Sequence, residues 1–208
     1  MKLFWHNTKI VCSTIAFMVI VMSIAGISYA YKNNLNVSVK AEEIPVISLP
    51  DFEHTSNQQF LDNVNQCVDY WYHNTTDVYP VNRELLLAQA ALESGWGNSR
   101  FATEGKNLFG IRTWDLSEPH MQVLGSNKPK KWGVKAYEHE CDSVLHYIQT
   151  LNNGHAYEKY RELKENGEND PFVLLETLEA YASDVHYFAK VKKIIIKIRE
   201  DYKLNYRK

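Results

Sequence analysis

The chain has 208 residues, 45% of them hydrophobic and 23% charged, and its 23 lysines and arginines against 25 acids leave a formal net charge of -2. That balance suits one globular core and excludes a disordered chain. It also lacks the strongly basic footprint of a nucleic-acid binder, so no nucleic-acid partner is expected.

Lys2 and Lys9 precede a nearly unbroken apolar run over residues 10–27, which ends in Ser28-Tyr29-Ala30. The small residues Ser28 and Ala30 suit signal cleavage. The run itself exceeds the usual core of about 7 to 15 residues and approaches the roughly 20 that span a bilayer. Residues 1–30 are therefore expected to be a signal peptide or a membrane anchor. Both alternatives place the rest of the chain outside the cytoplasm, in the periplasm or cell envelope, held at the inner membrane if the segment is kept. Residues 31–55 carry Pro45 and Pro50 and no sustained period, as an extended linker would.

From Ser56 onward Phe60, Val64, Cys67, Val68 and Trp71 recur at helical spacing with one buried face. Pro80 breaks the chain, Asn82 can cap, and residues 83–92 are strong helix formers with Leu86, Ala90 and Glu93 on one side. Gly95 and Gly97 then stop the helix. Residues 121–124 and 132–137 flank Gly125-Ser126-Asn127-Lys128-Pro129, the pattern of a β-hairpin with a long tip. Helical patterning returns over residues 139–151, 156–164, 171–180 and 184–205. In the last of these Val185, Phe188, Val191, Ile195, Ile198 and Tyr202 are expected inward, with Lys190, Lys192, Lys193 and Lys197 on the solvated face. The fold class is α+β, mostly α, with one small hairpin and a folded domain over residues 56–205.

Cys67 and Cys141 are the two cysteines of that domain, and Cys12 lies in the apolar run without a lipidation box. A disulfide and a pair of buried thiols both fit this usage. There is no Cys-x-x-Cys, and His120, His139 and His146 have no metal-ligand spacing, so neither a metal nor a cofactor is expected.

A carboxyl group that donates a proton near neutral pH must be raised above the ordinary glutamate pKa of about 4.3. Glu93 has two features that act in this direction: apolar neighbours along its helix, and a place at the negative C-terminal end of the helix dipole. The surrounding residues are Ala90-Ala91-Leu92-Glu93-Ser94-Gly95-Trp96-Gly97, then Phe101-Ala102, then Asn107-Leu108-Phe109-Gly110-Ile111. With Tyr181-Ala182-Ser183-Asp184-Val185-His186-Tyr187 near the C-terminus, this pattern resembles the endo-β-N-acetylglucosaminidases of glycoside hydrolase family 73. Residues 143–152 and His155-Ala156-Tyr157 are similar to its Bax-type branch.

The resemblance implies a lysozyme-like helical domain with a small β-lobe, and peptidoglycan glycan strands as partner and substrate. The bond cut would be the β-1,4 linkage that follows N-acetylglucosamine. Glu93 takes the general-acid position, and Tyr181 that of the tyrosine that holds the N-acetyl group or the reacting sugar. Family members often carry a second glutamate in the first hairpin strand, where this chain has Met121-Gln122-Val123-Leu124. Glu118 is the expected replacement among the acids nearby, unless the acetamido oxygen of the substrate itself attacks the anomeric carbon. Trp96, Asn107, Trp114 and Trp132 are expected to bind sugar, Phe109 to pack, and Asp184 to cap the last helix. Two rivals stand beside this expectation: a lytic transglycosylase, and a catalytically silent wall-binding module.

Overall fold

The computed structural model describes residues 47–124 and 130–204. The expected signal or anchor, the first part of the linker and the hairpin tip lie outside the described residues. Among the described residues no helix is long and apolar enough to cross a membrane.

Helix α1 spans Asn57–Asn74, opened by Ser56, whose side chain accepts from the Gln59 amide. Its apolar positions bury Phe60, Leu61, Val64, Cys67 and Val68. Helix α2, Arg83–Ser94, starts where the Asn82 side chain accepts from the Leu85 amide. Residues 85–91 are buried all round the helix, so α2 is the central rod of the core rather than an amphipathic surface helix. A short helix α3, Arg100–Thr103, follows. Helix α4 spans Glu140–Asn153. At its start the Cys141 amide donates to His139 Nδ1, and the His139 amide donates to Asp142. A 3-10 turn, His155–Tyr157, leads into α5, Glu158–Glu165; α6, Pro171–Leu175, and α7, Tyr187–Asp201, complete the body. Helix α7 lies along α2, and α1 lies against α4 and α2.

Cys67 and Cys141 are joined as a disulfide, which fastens α1 to the first turn of α4. The Trp71 indole of α1 donates to the Cys141 carbonyl at 2.7 Å beside it.

Among the described residues the β-lobe has three strands rather than the two of the expected hairpin: β1 Arg112–Thr113, β2 His120–Met121 and β3 Gly133–Lys135. All pairs are antiparallel in the order β1-β3-β2, with Arg112 opposite Val134 and His120 opposite Lys135. A two-residue strand carries no readable alternation, so β1 left no mark in the sequence pattern.

Two further differences concern the ends of the domain. The fold begins before Ser56: Phe52 is buried and meets Phe60 and His139 edge-on, and the Pro50 carbonyl contacts His139 Nε2 at 3.1 Å. At the other end Val185 was expected inward and is 91% exposed. It sits in the turn before α7, so the phase of the helix does not apply to it. Phe188 and Tyr202 are half-buried, and Val191, Ile195 and Ile198 face the core as expected.

Candidate active site

Glu93 occupies the last turn of α2, where the buried rod reaches the surface. Gly95 ends the helix in the left-handed region at φ 58°, with its N–H on the Ala91 and Leu92 carbonyls. The Ser94 hydroxyl donates back to the Ala90 carbonyl at 2.6 Å and accepts from the Gly97 amide at 2.7 Å. This tight stop fixes the direction in which Glu93 leaves the helix.

Residues 107–111 form the next wall. Asn107 is 1% exposed. Its amide nitrogen donates to the Ile111 and Lys135 carbonyls, and its oxygen accepts from the Phe109 and Ile111 amides. Those four bonds exhaust its polar capacity on backbone, so Asn107 shapes the loop and does not line the cleft. The loop brings Gly110 to the carboxyl group, at φ 64°; a Cβ there would lie 3.7 Å from Glu93 Oε2. Next to it the Tyr181 hydroxyl donates to the Phe109 carbonyl at 3.3 Å. The Tyr181 ring stacks on Tyr187 at 5.8 Å. Phe109 itself is buried and stacks on Tyr147, as packing.

These residues line a cleft of about 760 Å³ that holds Glu93, Gly110, Tyr181, Asp184, Tyr187 and Lys190, with Arg112 and Trp114 from the β-lobe and His146 from α4. Burial raises the Glu93 pKa, while the Tyr187 hydroxyl and the Lys190 ammonium pull the other way. A fully buried Gln89 lies one turn earlier, between two tyrosines. It accepts from the Tyr147 hydroxyl and donates to Tyr187 Oη at 2.8 Å. This network leaves the Tyr187 hydroxyl proton for the cleft.

Among the described residues, Asp184 and Glu93 are the two acids on the cleft wall. Asp184 is held below the usual carboxylate range by Lys190, at 2.5 Å, and by the His186 amide. Its bond to the His186 amide forms the turn into α7, close to its expected capping role; the N-cap position itself is His186.

Glu118 is absent from the cleft wall. Along β1, alternation puts Arg112 and Trp114 on one face and Thr113 on the other. Glu118 goes with Thr113, whose hydroxyl donates to it at 2.9 Å, and Lys135 lies 3.2 Å away. Thr113 first and Lys135 second hold its pKa down.

Trp114 lines the cleft and is 69% exposed. Trp96 does not line it: the left-handed turn, φ 59° at Trp96 itself, sets its ring against Phe60 and Tyr202. Trp132 lies one step back from the wall, with the Arg112 guanidinium 4.2 Å and the Lys130 ammonium 4.7 Å from its ring centroid. Arg112, Gly110, His146 and Tyr187 are wall residues that the sequence did not single out as site residues. For Arg112 the usable signal was its i, i+2 spacing to Trp114. His146 shares a 2.8 Å bond with the Tyr137 hydroxyl, and burial lowers its pKa first, Lys135 second.

Residues 70–200 match the glucosaminidase family, described as mannosyl-glycoprotein endo-β-N-acetylglucosaminidase. The chain is 35% identical over 130 residues to peptidoglycan hydrolase FlgJ of Vibrio parahaemolyticus, covering 57% of this chain and 41% of that protein. It is 27% identical over 158 residues to exo-glucosaminidase LytG of Bacillus subtilis, covering 73% of this chain and 55% of that one. The chain thus spans about half the length of these curated relatives. The catalytic domain of the autolysin Auto from Listeria monocytogenes shares the fold, with a TM-score of 0.53 at 23% identity over 73% of this chain and 87% of that one.

Proposed function

This chain belongs to the glucosaminidase family, and from that premise we propose that it hydrolyses the β-1,4 bond following N-acetylglucosamine in peptidoglycan, with Glu93 as proton donor. The observation that carries this is a glutamate whose pKa is raised by burial, placed in a cleft with Tyr181 and the exposed Trp114. A protonated Glu93 gives its proton to the glycosidic oxygen as the C1–O bond breaks. Tyr181, fixed by the Phe109 carbonyl and the Tyr187 ring, positions the sugar beside it.

The positive charge that develops at C1 is met by the acetamido oxygen of the substrate. Three placements support this. Glu118 lies off the cleft wall, Asp184 is paired with Lys190, and residues 125–129 of the hairpin tip contain no acid. Water then opens the cyclic intermediate and returns the proton to Glu93. Strands with their glucosamine N-deacetylated are expected to resist cleavage, while Asp184→Asn costs less than tenfold in kcat/KM, because its pair with Lys190 sits in solvent. An Asp184→Asn loss as deep as that of Glu93→Gln would instead make Asp184 the second catalytic group.

Gly110 tests the shape of the same site. At its positive φ an alanine is strained, and its Cβ fills space in front of Glu93 Oε2. Gly110→Ala is expected to lower kcat/KM roughly 10- to 100-fold, the scale of a misplaced reacting atom. Wild-type turnover by that variant would show that the glycosidic oxygen approaches Glu93 from elsewhere.

We further propose that the domain acts outside the cytoplasm, with residues 1–30 directing export and residues 10–27 long enough to hold it at the membrane. The Cys67–Cys141 disulfide suits an oxidising compartment.

A further inference from the structure

Arg112 is an exposed cleft-wall residue for which no acidic partner occurs among the described residues. The nearby acids are committed elsewhere, Glu118 to Thr113 and Lys135, and Asp115 to Ser117. Its guanidinium rests on the Trp132 ring at 4.2 Å. Such a contact restrains the side chain without neutralising it and leaves the planar fork of donors available. Lys130 on the same ring adds a second cation beside it. Lys190, the other lysine or arginine of the cleft wall among the described residues, is already paired with Asp184. One side of the cleft thus offers a braced, uncompensated guanidinium in the shape that binds a carboxylate through two hydrogen bonds.

The sugar rings of a wall glycan are neutral, and its carboxylates belong to the muramyl residues, on the stem peptide or on a lactyl group freed of its peptide. We infer that Arg112, braced by Trp132, binds a muramyl carboxylate and so makes the enzyme selective for the charged wall strand over neutral β-1,4 glycans. This rests on the hydrolase reading and adds to it a residue that selects substrate.

The test uses the full chain on three soluble strand preparations: peptide-bearing strands, the same strands with every carboxylate converted to an amide, and strands stripped of peptide by an amidase. The wild type is expected to favour the peptide-bearing strands over the amidated ones by about 10- to 50-fold in kcat/KM, the worth of a charge-assisted hydrogen bond pair. Arg112→Gln is expected to bring that ratio close to one, and Arg112→Lys to restore part of it. Arg112 dependence lost on stripped strands assigns the contact to the stem-peptide carboxylates alone; dependence that persists there shows that the lactyl carboxylate, once freed from its amide bond, is bound by the same guanidinium. An unchanged ratio in Arg112→Gln, with a wild-type melting temperature, overturns the inference and leaves the hydrolase reading standing. Failure of the wild type to cut any strand removes both.

Discussion

Replacing Glu93 with Gln is expected to lower glycan-strand cleavage by about 10²- to 10⁴-fold, the usual worth of a general acid, while the fold is kept. Gln has the same shape and can still hydrogen-bond, but it has no proton to give to the leaving oxygen. Burial raises the Glu93 pKa in the folded chain. The folded state therefore carries a penalty that is absent below the unfolded value of about 4.3, grows through the raised folded pKa, and is complete above it. Gln removes that penalty, so the melting temperature at neutral pH is expected to hold or rise. The same shift sets the pH dependence of the wild type: activity falls as pH rises through the raised pKa. Lys190→Ala removes a cation that favours the ionised form and is expected to move that alkaline limb upward. Cleavage by Glu93→Gln at the wild-type rate would take Glu93 out of the mechanism.

The largest expected effect on stability belongs to the disulfide. Cys67 and Cys141 are 74 positions apart and both fully buried, so the bond restricts a long loop of the unfolded chain and crosses between two core helices. Changing both cysteines to Ala is expected to cost about 2 to 4 kcal/mol, roughly 5–15 °C in melting temperature for a chain of this size. The Trp71 indole on the Cys141 carbonyl keeps α1 and α4 in contact, which allows the variant to fold. A double variant that melts within a degree or two of wild type would mean that packing and the Trp71 hydrogen bond hold the two helices without help from the disulfide.

The long helices were legible from caps or apolar patterning: the Ser56 cap before α1, the Asn82 cap before α2, and the apolar face of Val191, Ile195 and Ile198 along α7, which has no side-chain cap at its start. Glu93 and Tyr181 were legible through their motifs, and the structure brings them into one cleft. The partners of Glu93 were not. Asn107 and Trp96 stand inside the same motif as Glu93, yet one is spent on loop carbonyls and amides and the other on a core contact. A motif records which residues occur together without recording which way each side chain faces. Arg112 and Glu118 show the same limit in the β-lobe. Both are polar and close in sequence, but Arg112 faces the cleft from β1 while Glu118, outside the strand, goes with Thr113 on its other face.

Digesting purified peptidoglycan with the full chain, and reading the new strand ends by mass spectrometry, shows whether a Glu93-dependent step hydrolyses the strand after N-acetylglucosamine. Reducing N-acetylglucosamine ends, absent with Glu93→Gln, are the expected result. Anhydromuramic ends would mean a lytic transglycosylase, and no new ends from the wild type would mean a module that binds the wall without cutting it.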